Sequence, residues 1–156
     1  MDDILQRQEA TLTGLPALVK GLSEAELAWR PAPNKWSAKE IVCHLADVEL
    51  MYGARYRWVL AEDQPLLLPF DQDAFARALG YAQDDLQAAL EQFRVLRRRN
   101  LSLLTRLLPT QGERIGLHQQ RGAITLRSIA ESIAAHDENH LRQIEERIRG
   151  ARAASR

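Results

Sequence analysis

Four long stretches of the chain repeat apolar residues at the three-and-four spacing of a helix face, and no stretch sustains strand alternation. The first covers about residues 2–20, with Leu5, Leu12, Leu15, Val19 and Leu22 on one side. The second opens at "SAKE", where Ser37 can cap the helix and Glu40 can reach back in a capping box. It is expected to run to about residue 61, with Ile41, Leu45, Val48, Met51, Tyr52 and Val59 inward. The third, over about 84–108, carries Leu86, Leu90, Phe93, Leu101 and Leu104, and Pro109 is expected to stop it. Thr125 caps the fourth, which should end near 149, just before Gly150.

Four amphipathic helices in 156 residues specify an all-α protein, a four-helix bundle around one core. The first connection holds a capped single turn at "SEAE" and a helix-incompatible "RPAPN". The second, with "EDQPLLLPFD" and a short helix near 72–79, is long enough for helices 2 and 3 to lie parallel through a crossover. Residues 109–124 read as loop or a stray extended piece, with Gly112, Gly116 and Gly122. A single domain over 1–150 and a frayed tail over 151–156 follow.

Charge and cysteine content narrow the function classes. Lys+Arg and Asp+Glu both number 21, so no global field steers the protein to nucleic acid, and "RVLRRRN" at 94–100 reads as a solvated helix face. The start, "MDDILQRQEA", has no apolar core and is not expected to be a signal peptide; no stretch is long enough to span a membrane. The lone Cys43 excludes an internal disulfide, reads as a small core residue and fits a cytoplasmic protein.

The chemistry-bearing feature is "AAHDENHLRQ" at 134–143. His136 and His140 lie four positions apart, on the face that carries Ile129 and Ile133, and imidazoles at that spacing can converge on one ion. On helix 2, His44 shares a sector with Ile41, Val48 and Met51, so three of the four histidines face the core from two helices. His118, in "GLHQQRG", reads as a surface residue. Asp137 follows the first histidine where a metalloprotease motif would have Glu; Asp137 and Glu138 read as solvated. Three imidazoles on one side of an ion leave positions free for water or substrate, as catalytic sites do. Zinc or nickel is the expected ion, with manganese or iron as alternatives.

"RPAPNKWSAKEIVCHLADVE", followed later by "TLRSIAESIAAHDENHLRQI", resembles the DinB-like (YfiT-type) metal-binding four-helix bundles. That superfamily includes bacillithiol S-transferases and mycothiol-dependent maleylpyruvate isomerases. The resemblance implies a divalent metal held by His44, His136 and His140, the three that periodicity turns inward. It also implies a helix 2 to helix 3 crossover and a homodimer.

Around these histidines, Asp47, one turn after His44, is expected to orient a histidine or to act as catalytic base. Gln143 can orient a histidine or a bound water. Arg55, Arg97 and Asn100 interrupt apolar faces and must snorkel, pair or meet an anionic ligand. Trp58 and "PLLLPF" offer apolar walls, whereas Trp29 and Trp36 are expected to pack the first connection on the bundle. The expected activity is thiol S-transfer: an ion stabilises a low-molecular-weight thiolate that attacks a small electrophile. Water in the same position gives hydrolase chemistry instead. The rival from another class is a non-catalytic bundle whose ion is a structural pin or whose interior binds a small ligand.

Overall fold

The computed structural model describes residues 3–156. Four long helices, α1 (Asp3–Val19), α3 (Ala38–Ala61), α5 (Leu86–Gln111) and α6 (Leu126–Ala154), form the bundle. A short α2 (Glu24–Ala28) lies in the first connection, and α4 (Gln72–Ala78) with a 3₁₀ turn (Tyr81–Gln83) lies in the second. The expected starts are there. Ser37 Oγ accepts from the Glu40 backbone N–H and Glu40 returns the bond to Ser37, as Ser23 and Glu26 do for α2. Thr125 caps α6 through the Ser128 N–H.

Cross-helix bonds give the directions. Asp47 meets Gln92, Glu49 meets Arg97, and Arg57 meets Asn100, so numbers rise together and α3 and α5 run parallel. His44 meets His136 while the Trp36 carbonyl meets Arg147, so α6 runs against α3. Gln8 meets Ala130 while a Cβ at Gly14 would stand 3.8 Å from Leu141 Cδ1, so numbers rise together and α1 runs parallel to α6. The order is therefore up-down-down-up. Residues 62–85 carry the crossover that this parallel pair demands.

The core is divided. One apolar cluster includes Leu15, Val19, Ile41, Leu45, Phe93, Ile144 and Ile148; the other includes Ile4, Leu5, Tyr56, Val59, Leu104, Leu108 and Ile129. Between them on every long helix lie buried polar residues: Gln8 and Thr11, His44 and Glu49, Arg97 and Asn100, Asp137 and His140. Such a belt is tolerable only if its members satisfy one another.

Two expectations about element ends are corrected. Pro109 lies inside α5, which continues to Gln111. The proline removes only one donor in the last turn, and the Gly112 carbonyl is then held by the Arg127 N–H at 2.9 Å. Gly150 does not end α6, and the tail expected to fray is helical to Ala154, with Ala151 buried. A Cβ at Gly150 would stand 2.3 Å from Trp29 Cη2, so this glycine admits an indole rather than a turn.

Of the two readings for residues 109–124, the extended one holds, within a small sheet. β1 (Leu66–Leu67) pairs in parallel with β2 (Ile115–His118), and β2 pairs antiparallel with β3 (Gly122–Thr125). A Cβ at Gly116 would meet Leu67 Cδ1 at 2.6 Å and Val59 Cγ2 at 2.9 Å, so only glycine lets this sheet close on α3. No helix among the described residues is long and apolar enough to cross a membrane.

Candidate metal centre

Antiparallel packing of α3 on α6 brings His44 against His136 and His140. His44 Nε2 and His136 Nε2 are 3.0 Å apart, and one ring nitrogen from each of the three residues lies within 4.8 Å of the others. Two nitrogens held ~2.0–2.1 Å from a tetrahedral ion are roughly 3.3 Å apart. Small ring rotations would bring all three onto one cation.

The tautomers suit that purpose. His136 Nδ1 faces Asp137 Oδ1 at 3.2 Å, and His140 Nδ1 faces Gln143 Oε1 at 3.0 Å. Both partners accept, so each ring keeps its proton on Nδ1 and presents a bare Nε2. Burial, then the neighbouring His136 and His140, pushes the His44 pKa down to about 2. Burial, then His136, pushes His140 down to about 4. His44 and His140 are thus uncharged near neutral pH, and a set of three converging imidazoles fits a divalent cation. Trp36 walls the cluster, its ring centroid 4.8 Å from that of His44 and stacked at 6.3 Å on His140.

The groups behind His136 belong to the polar belt. Arg97 and Asp137, each 1% exposed, are joined at 2.6 Å, and Arg97 also gives two bonds to Glu49 and one to the Gln8 carbonyl. Asn100 donates to the other Glu49 oxygen at 2.7 Å. Burial alone would pull the Arg97 pKa down, but Asp137 and Glu49 outweigh it and hold the guanidinium charged. A fixed chain runs from Glu49 through Arg97 and Asp137 to His136. Arg97 therefore pairs, one of the outcomes expected of it.

Two openings reach the histidines. A pocket of about 240 Å³ is lined by His44, His136, Tyr52, Arg55, Phe70 and His118, among others. A second cleft of similar size lies on the His140 side, with Trp36, Asp73, Gln143 and Arg147. Gln72 borders both.

A protein-family model described as the DinB superfamily matches residues 7–144. The chain belongs to the DinB superfamily. Among its relatives, "Putative metal-dependent hydrolase OB0782" of Oceanobacillus iheyensis is 28% identical over 134 residues, covering 83% of this chain and 77% of the relative. "Putative metal-dependent hydrolase YfiT" of Bacillus subtilis is 25% identical over 146 residues, covering 93% and 82%. The solved structure of Bacillus subtilis YfiT, described as a probable metal-dependent hydrolase with an unusual four-helix bundle topology, superposes with a TM-score of 0.88. That match covers 95% of this chain and 85% of the solved one.

In this DinB-superfamily chain, the rings of His44, His136 and His140 lie together and Gln143 bonds His140. Asp47 does not join them. Its oxygens accept from the Tyr81 hydroxyl at 2.7 Å and Gln92 Nε2 at 3.1 Å, tying the crossover to α3 and α5. The carboxylate that orients a histidine is Asp137, which the helical wheel turns outward but neighbouring helices enclose. Glu138 pairs with Arg7. Glu49 was missed too; the signal for both was Arg97 on an apolar face, since a buried guanidinium requires carboxylates. His118 is 8% exposed and lines the pocket. Its strand buries Gly116 and His118 and turns Ile115 and Leu117 outward, inverting the usual pattern. Trp58 is half-exposed and forms no wall of this pocket; Pro69 and Phe70 of "PLLLPF" do. Cys43 is buried, and burial pushes its thiol up to about 12.

Proposed function

We propose that this protein is a divalent-metal-dependent enzyme acting on a small molecule, and that it transfers a low-molecular-weight thiol to an electrophile. The observation that carries the reading is the convergence of His44, His136 and His140 beside an open pocket. A bound cation would supply Lewis acidity, making a coordinated thiol or water nucleophilic near neutral pH. The chain's part is to hold three imidazoles together, with Asp137 and Gln143 fixing two of them, and to keep Trp36 and Phe70 as apolar walls. The pocket beside His44 and His136 has no carboxylate in its lining. Thiol transfer suits it, because a thiolate attacks without a further base.

Hydrolysis is the second reading, favoured by the names of the relatives. Its candidate base is Asp73, the carboxylate that lines the cleft on the His140 side. Both readings include a homodimeric, cytoplasmic protein using zinc or nickel. The test is reconstitution with each ion, followed by assays of thiol conjugation to chlorodinitrobenzene and of p-nitrophenyl ester hydrolysis. One ion per chain and metal-dependent conjugation, both lost in His44→Ala, are expected. Ester hydrolysis abolished by Asp73→Asn, with no conjugation, would instead establish the hydrolase. Failure to retain any ion overturns both.

A further inference from the structure

The two arginines that interrupt the inner helix faces have opposite fates. Arg97 is enclosed by Glu49 and Asp137. Arg55 is only 5% exposed, yet no carboxylate pairs with it among the described residues. Among the described residues, its one hydrogen bond goes to the Leu68 carbonyl. The rings of Tyr52 and Phe70 lie 4.5 and 5.7 Å from the guanidinium carbon, which leaves donors at its edge. A buried cation without a counterion is an unfavourable arrangement that a bound anion resolves.

His118 adds a second donor in the same pocket. The backbone N–H groups of Gln120 and Arg121 both point at His118 Nδ1, at 3.2 and 3.3 Å. Nδ1 must accept, so the proton sits on Nε2, which has no acceptor among the described residues. Burial, then the charges of Arg55 and Arg121, holds the ring below its ordinary pKa and so neutral. Exposed Arg121 also lines this pocket, and no acidic residue does.

We propose that the pocket beside the histidine cluster is a carboxylate subsite. Arg55 and the His118 Nε2–H hold the acid group of a small substrate, Arg121 attracts it at the rim, and the substrate's other end reaches the histidines. This deepens the reading above and rests on it: the thiol is an acid. A guanidinium edge presents parallel N–H donors that match a planar carboxylate. The pocket, about 240 Å³, holds roughly eight water volumes at ~30 Å³ each, the size of a short-chain acid.

The test compares 3-mercaptopropionate with its neutral analogue 3-mercapto-1-propanol on cobalt-substituted protein, reading the thiolate-to-metal absorption band. The acid should bind at least about tenfold more tightly. Arg55→Gln should bring the ratio close to one. His118→Asn keeps an acceptor for the two backbone N–H groups but removes the pocket donor, and should lower the ratio severalfold. Arg121→Ala, at an exposed position, should lower it at high dilution and less in added salt. Cobalt affinity should stay within about twofold in all three.

A ratio near one in the parent protein overturns the subsite. So does a preference that survives Arg55→Gln, since the metal alone would then account for it. Metal-free protein gives a separate reading: propionate should shift the Arg55 Nε–H resonance, and should do so at lower concentration than methyl phosphate. No shift, or equal competition by methyl phosphate, refutes a carboxylate subsite even if the metal centre stands. A shift in protein that retains no ion would support the subsite while the enzyme reading falls.

Discussion

Replacing Asp137 with Asn separates the two tasks its carboxylate performs. The substitution keeps the shape but removes the charge facing Arg97 at 2.6 Å and weakens the acceptor facing His136 at 3.2 Å. Removing one partner of a buried ion pair costs about 3–5 kcal/mol; Glu49 still faces Arg97, so the lower end, about 3 kcal/mol, applies. For a chain of this size that is a fall of about 6–12 °C in Tm. Loss of the group behind a metal-binding histidine weakens metal affinity about 10–100-fold. Stability is read by urea unfolding of the metal-free protein, and affinity by competition with a chromophoric chelator. Glu49→Gln is the control. It disturbs Arg97 and Asn100 comparably but touches no histidine, so its zinc affinity should change less than about threefold. Equal affinity losses in the two variants, or none in Asp137→Asn, would refute the directed chain from Glu49 to His136.

Other outcomes follow from burial. The unfolded chain ionises its tyrosines near 10, whereas burial, with the Asp47 hydrogen bond for Tyr81, raises Tyr56 and Tyr81 well above that. Above that pH the unfolded state binds fewer protons, so stability falls as pH rises; Tyr81→Phe should flatten the decline in alkaline urea titrations. Native Cys43 should take up less than a tenth of an equivalent of Ellman's reagent at neutral pH, and a full equivalent in urea; fast native labelling would contradict its burial. Gly150→Ala should destabilise by about 1–3 kcal/mol despite a helix-propensity gain of about 1 kcal/mol, because the new Cβ meets the Trp29 indole. A stabilised variant in thermal melts would show that Trp29 moves aside freely.

Sequence made the helices and the three histidines legible because each is a statement about one helix and its period. Ser37, Glu40 and Thr125 announce their helix starts through local bonds. What escaped depends on neighbours. Asp137 sits at an outward angle on its own helix and is buried only because α5 places Arg97 against it. His118 was read as surface because a four-residue strand with glycine in its buried row carries too little pattern to show its inner face. Pro109 and Gly150 are helix breakers in isolation, overridden by the Arg127 bond to Gly112 and by the Trp29 contact. Asp47 stands at the right helical distance from His44, but Tyr81 and Gln92, from the crossover and α5, claim it first.

The belt of buried polar groups fixes axial register. Apolar surfaces tolerate sliding, but a one-turn slip of α6 along α5 would strand Arg97 without Asp137 and withdraw two imidazoles from the third. Neither end of the bundle can shift without dragging the charged layer with it. The spacing of the three rings is therefore set by a lock that engages as the chain folds, so the grip is ready before anything arrives to be gripped.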